Sequence, residues 1–147
     1  MMKSRQCLWV KAYENPAGYA HLVLVDVRTE YKLPAHILSW INDPENEIFF
    51  SSASVWEIVI KHSKNPAAMP VDGDAFVSGC IQAGFTPLAI ENRHVLAVGG
   101  LKRKDGEPPH NDPFDRILIA QARTEEMTMI TQDTLLAGYG EKCVLTI

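Results

Sequence analysis

The stretch that most constrains this chain is His110-Asn-Asp-Pro-Phe-Asp-Arg-Ile-Leu-Ile-Ala-Gln-Ala-Arg123, which opens as a turn and continues as a helix. Asp112 has the side chain of a helix cap, and Pro113 suits the first helical position, where its missing N–H costs nothing. Asp115 falls three residues after the cap, near the positive end of the helix dipole. Ile117, Leu118, Ile119, Ala120 and Ala122 leave little polar surface, so the helix is expected to be buried on most sides. A strand over 127–131 follows and ends in Gln132 and Asp133, which puts a second acid where the next helix must begin.

The same arrangement is expected earlier. Residues 47–51 read as a strand, and Ser54-Val-Trp-Glu57 reads as a capping box that opens a helix, with Glu57 at the helical position Asp115 occupies. In a parallel α/β sheet the strand-to-helix turns share one edge, so Glu57, Asp115 and Asp133 should face a common crevice. Three carboxylates there repel one another unless protonated or bridged by a cation. Each acid also has an ordinary role open to it: Glu57 and Asp115 as reciprocal caps, Asp133 as a turn or N-cap residue.

The rest of the chain fits an α/β fold. A strand over 21–27 carries Asp26 near its end, as a fourth acid on the crevice edge or as a solvent-facing one. The turn at 15–18 precedes it. Helices are expected over 34–41, 55–62, 91–98 and 134–138, and Phe76, Val77, Cys80 and Ile81 form a further helical stripe ended by Gly84. Pro87 marks the strand over 85–90 as an edge, and a last strand covers 142–147. The basic residues Lys102, Arg103 and Lys104 belong to a polar loop that either meets a phosphate backbone or is simply solvated. His62 reads as a surface or helix-end residue, and His110 as part of the turn before Asp112, with a role in catalysis also open to it. Alternating strands and helices define an open, mainly parallel sheet with helices on both faces. There is no internal repeat, glycine-rich phosphate loop or nucleophile elbow.

Composition narrows the function. A chain of 147 residues, 46% hydrophobic and 22% charged, makes one ordinary globular domain. No run of about 18 apolar residues occurs, so no membrane span is expected. Lys3 and Arg5 are followed by no sustained apolar core, so no secretory signal is expected. Cys7, Cys80 and Cys143 fit neither a zinc pattern nor a disulfide framework, which favours a reducing cytosol. A net charge of −4 argues against broad non-specific nucleic-acid binding, although cations held by clustered acids would reverse the local potential.

Three blocks carry a family likeness: Ser-Ala-Ser-Val-Trp-Glu57-Ile-Val-Ile-Lys61, Asn-Asp-Pro-Phe-Asp115-Arg-Ile-Leu-Ile-Ala-Gln-Ala122 and Met-Ile-Thr-Gln-Asp133. In order and spacing, and with Gln82-Ala-Gly-Phe85 between them, they resemble the PIN-domain toxins of VapC type. The resemblance spans residues 33–147, leaving 1–32 as an atypical N-terminal segment that could supply the first strand. It implies a three-layer α/β/α domain that acts as a metal-dependent endoribonuclease, the toxin of a toxin–antitoxin pair. Glu57, Asp115 and Asp133, with Asp26 as the nearest fourth acid, would hold Mg²⁺ or Mn²⁺, while Arg116, Lys102 and Arg103 would contact RNA phosphates. It further implies a cognate antitoxin, a homodimer and a cytoplasmic location. The family usually begins with a strand ending in Leu-Asp-Thr and a long helix, whereas here the nearest equivalent is Val25-Asp26-Val27, six residues before Leu33. Either that region is rearranged, or Asp26 is not the equivalent acid, or the segment is foreign to the ancestral frame. The alternative function is a degenerate PIN-like domain that binds an antitoxin peptide or RNA without cutting it. A small-molecule metal phosphohydrolase fits less well, because no Asp-x-Asp follows a first strand.

Overall fold

The computed structural model describes the backbone of residues 7–12 and 20–24 and the whole of residues 34–147. The expected turn at 15–18 and the end of the expected strand at 25–27 lie outside the described residues. Among the described residues, six strands form one sheet: β1 (Cys7–Ala12), β2 (Ala20–Leu24), β3 (Asn46–Ser51), β4 (Thr86–Leu88), β5 (Met127–Thr131) and β6 (Val144–Thr146), in the order β4-β3-β1-β2-β5-β6. β4 pairs parallel to β3, and both β2 and β6 pair parallel to β5. β1 runs antiparallel to β2 and β3, so five strands point one way and β1 alone points back. The mainly parallel sheet is as expected from the alternation of strands and helices. The reversed strand within it carried no signal of its own.

Helices cover both faces. On one side α4 (Asn92–Val98) and α5 (Pro113–Thr124) pack against a core of Leu101, Leu118, Ile119, Ala122, Met127 and Met129. On the other, α1 (Ala35–Asn42), α2 (Ser52–Lys64) and α3 (Gly73–Gln82) enclose Ile37, Ile48, Phe50, Ile58, Phe76 and Ile130. Strand alternation divides the side chains between the layers: Ile48 and Phe50 enter the second core while Phe49 packs on the first, and Met129 and Ile130 separate likewise. All five residues of β5 are buried, as a strand covered on both faces requires. β4 lies at the sheet edge, where Pro87 deprives no inner neighbour of a donor.

Local chemistry sets the helix ends. Asp112 caps α5, accepting from the backbone N–H groups of Phe114 (2.9 Å) and Asp115 (3.2 Å), with Pro113 in the first turn. Asp72 caps α3, whose other end closes at Gly84: with φ of +83°, this residue lets its own N–H reach the Ile81 carbonyl and that of Phe85 reach Cys80. His94 in α4 is fully buried. Its Nδ1 accepts the Glu91 N–H at 2.9 Å, which leaves Nε2 to donate to Glu125 at 2.6 Å across to the end of α5.

The start of α2 departs from the expected capping box. Ser51, not Ser54, is the cap: its Oγ accepts from the Ala53 N–H at 2.9 Å, and the helix begins at Ser52. The reason lies elsewhere in the chain. Ser51 Oγ also donates to Gln121 Oε1 at 2.6 Å, and Gln121 Nε2 donates to the Ala89 carbonyl at 3.3 Å. Both side chains are fully buried. Replacing Gln121 with Leu keeps comparable volume but leaves a buried hydroxyl and a carbonyl without that partner, at a cost of about 2–3 kcal/mol. A thermal melt of Gln121→Leu should show a Tm lowered by roughly 5–10 °C.

Candidate metal centre

The strand directions bring the expected acids to one edge. β3 and β5 run the same way, so α2 and the turn at Asp133 both leave the sheet at its carboxyl side. Asp133 follows β5 directly. Its backbone N–H donates to Thr131 Oγ1 at 2.9 Å, and its Oδ1 caps the 3₁₀ helix Thr134–Tyr139 by accepting from Leu135 N–H at 3.0 Å. Capping and site membership thus coexist in this residue, because its Oδ2 is buried separately. Asp115 stands in the first turn of α5 and is 8% exposed, against 6% for Asp133.

The third member of the cluster is a histidine. His110 Nε2 lies 3.1 Å from Asp115 Oδ2, and one ligand atom from each of His110, Asp115 and Asp133 lies within 4.8 Å of the other two. Tyr139 holds the imidazole from behind: Nδ1 is 2.9 Å from its phenolic oxygen, and the Tyr139 hydroxyl donates to the His110 carbonyl at 2.8 Å. The sequence left His110 between the turn and a catalytic role, without placing it among the metal ligands. The missing signal was Tyr139, a partner 29 residues away that no periodicity links to the turn.

Glu57 faces this cluster without being one of its three converging ligands. Because α2 begins at Ser52, Glu57 lies in the second helical turn and not at the position equivalent to Asp115. Capping therefore does not explain it. It pairs with Lys61 one turn on. Burial pushes its carboxyl above the ordinary 4.5; the Lys61 ammonium opposes that rise, and the charges of Asp115 and Asp112 add to it. Glu57 and Asp115 thus sense one another, and the neighbouring Trp56 and Phe114 rings meet edge to face at 5.2 Å. β2 ends at Leu24 on the same edge, parallel to β5, whereas Asp26 lies outside the described residues.

The three expected RNA contacts sit differently. Lys102 is exposed. Arg103 folds back over the Tyr139 ring, 4.8 Å from its centroid, and donates to the carbonyls of Pro108 (2.9 Å) and Leu135 (2.6 Å). Arg116 donates to the Val98 carbonyl at 3.3 Å, and its Nε is buried. Burial raises the Tyr139 phenol above its usual range, against the lowering influence of these two guanidinium groups.

Two buried carboxylates, an imidazole and an adjacent glutamate make a donor set that suits a divalent cation. A sequence model of the PIN domain matches residues 23–142. The chain therefore belongs to the PIN-domain family, whose members are generally metal-dependent nucleases and whose α/β architecture is the one seen here. No curated protein and no solved structure matches it. Among the described residues, no helix is long and apolar enough to cross a membrane.

The raised Glu57 carboxyl has a stability consequence. With no metal bound, its contribution is most favourable below the ordinary value of 4.5 and declines as pH rises through the elevated folded value. Glu57→Gln removes this dependence. Without divalent metal, the Tm difference between variant and wild type should therefore be more positive at pH 7 than at pH 4. An equal difference at both pH values would show that burial does not perturb this carboxyl.

Proposed function

We propose that this protein is a Mg²⁺- or Mn²⁺-dependent endoribonuclease and the toxin of a toxin–antitoxin pair. The observation that carries the reading is the convergence of His110, Asp115 and Asp133 beside Glu57 at the carboxyl edge of the sheet. Family membership supports nuclease chemistry, and the VapC-like blocks around Glu57, Asp115 and Asp133 support the narrower role. Asp115 and Asp133 hold the cation, Glu57 contributes from α2, and Asp26 is the proposed fourth acid. A bound divalent cation supplies an activated water and charge stabilisation for in-line attack at a phosphodiester. Asp112 and Pro113 fix the first turn of α5, and so the position of Asp115. Lys61 pairs with Glu57 and offsets part of the effect of burial on its carboxyl.

RNA phosphates approach over Lys102, with Arg103 and Arg116 acting at closer range or through the segments they hold. The antitoxin, by this reading, covers the same edge, and the active form is a cytoplasmic homodimer.

Asp115→Asn retains the shape of the side chain and the Asp112 cap. In a fluorescent RNA cleavage assay with Mn²⁺, the folded variant should be slower than wild type by two orders of magnitude or more, roughly the loss expected when metal-based stabilisation is removed. Unchanged cleavage by that variant would remove the proposed centre. Binding of RNA by a wild-type protein that never cuts it would instead favour the non-cleaving PIN-like domain.

A further inference from the structure

The proton count around His110 decides what its outer nitrogen offers. Tyr139 has one hydroxyl hydrogen and two close neighbours on His110, the carbonyl oxygen at 2.8 Å and Nδ1 at 2.9 Å. The carbonyl accepts only, so both contacts are satisfied when the phenol donates to the carbonyl and Nδ1–H donates to the phenolic oxygen. In the neutral ring that arrangement puts the lone pair on Nε2. Nε2 is 3.1 Å from Asp115 Oδ2, which is itself an acceptor when ionised. Two acceptors so close are held together by a cation or by an added proton.

The spacing favours a cation. Adjacent ligands of an octahedral ion with bonds of about 2.1 Å lie about 3.0 Å apart, close to the observed Nε2–Oδ2 separation of 3.1 Å. The cluster also includes an oxygen of Asp133 within 4.8 Å. A metal-bound histidine is normally oriented by a hydrogen bond at its far nitrogen, and the Tyr139 hydroxyl takes that place at His110. We propose that His110 Nε2 is a direct ligand in the centre formed with Asp115 and Asp133, and that this nitrogen tilts the site toward a transition-metal dication such as Mn²⁺ over Mg²⁺. The inference rests on the metal-dependent reading above and deepens it, making His110 a direct ligand where that reading assigns the cation to the carboxylates alone. Its chemical basis is that Mg²⁺ favours an all-oxygen shell and retains its waters, whereas imidazole binds transition metals better.

Two measurements test it without reference to activity. Electron spin-echo spectroscopy of the Mn²⁺-loaded wild-type protein should show hyperfine coupling to an imidazole ¹⁴N, and the coupling should vanish in His110→Asn. Calorimetric titration of that variant should show Mn²⁺ affinity lowered about tenfold or more, with a several-fold smaller change for Mg²⁺. Tyr139→Phe, which retains the ring, should keep the nitrogen coupling and weaken Mn²⁺ binding. Mn²⁺ bound by wild type without nitrogen coupling overturns the ligand assignment while leaving the carboxylate centre intact, and indicates that His110 is a protonated partner of Asp115. Failure of the wild-type protein to bind Mn²⁺ at all overturns both readings.

Discussion

The buried amide of Gln121 is the tie on which the geometry of the site depends. A primary amide inside a protein must satisfy an acceptor and donors, and here they reach Ser51, at the start of α2, and the Ala89 carbonyl just after β4. α5 is thereby tied to the start of α2 and to the sheet edge through two fully buried side chains. Asp115 lies two turns earlier on the same α5, and Glu57 lies two turns into the helix that Ser51 caps. One hydrogen-bonded side chain thus sets the distance between carboxylates from distant parts of the chain. Apolar packing alone would bury these helices, but it would fix their register less sharply.

That fixed distance brings an electrostatic tension. Asp115 and Asp133 are nearly excluded from water, and Glu57 is pushed toward its protonated form by burial and by the acids beside it. The α5 N-terminus, with its positive dipole end, and the Lys61 ammonium relieve part of this charge. A fold selected only for stability would exchange such a group for an apolar one. Its presence beside a histidine suits a cation-binding function, in a domain whose two main cores on either side of the sheet are apolar.

What the sequence disclosed followed the range of the interactions involved. The cap and first turn of α5 were legible because Asp112, Pro113 and Asp115 act within four residues, and the strand over 127–131 was legible because its apolar run is short and bounded. Pro87 announced an edge strand through its missing donor. The start of α2 was misplaced by three residues because Ser51 and Ser54 are equally good caps locally. The choice between them was made by Gln121, 70 residues away. The same distance rule explains Glu57, whose carboxylate reaches the site from the second turn. It explains β1 as well, whose reversed direction is a matter of sheet pairing that composition does not encode. His110 stayed undecided between turn and catalysis, since its placement depends on a tyrosine in another element.

The segment before α5 shows how that placement comes about. The loop at 102–110 is bound to the 3₁₀ helix at several points: Lys104 N–H donates to the Gly138 carbonyl at 2.8 Å, Arg103 reaches the Leu135 carbonyl, and Tyr139 grips His110. Arg103 lies so close to Gly138 that a Cβ there would meet its guanidinium at 2.4 Å, and the hydrogen bonds of that group oppose its moving aside. Asp133 caps the first turn of this same 3₁₀ helix, and Tyr139 ends it. The short helix therefore holds Asp133 at one end and, through Tyr139, His110 at the other. The adjoining start of α5 presents Asp115 between them. The basic loop that reads in the sequence as either a phosphate contact or a solvated segment is, in its arginine, part of the frame that assembles the centre, while Lys102 and Lys104 are exposed.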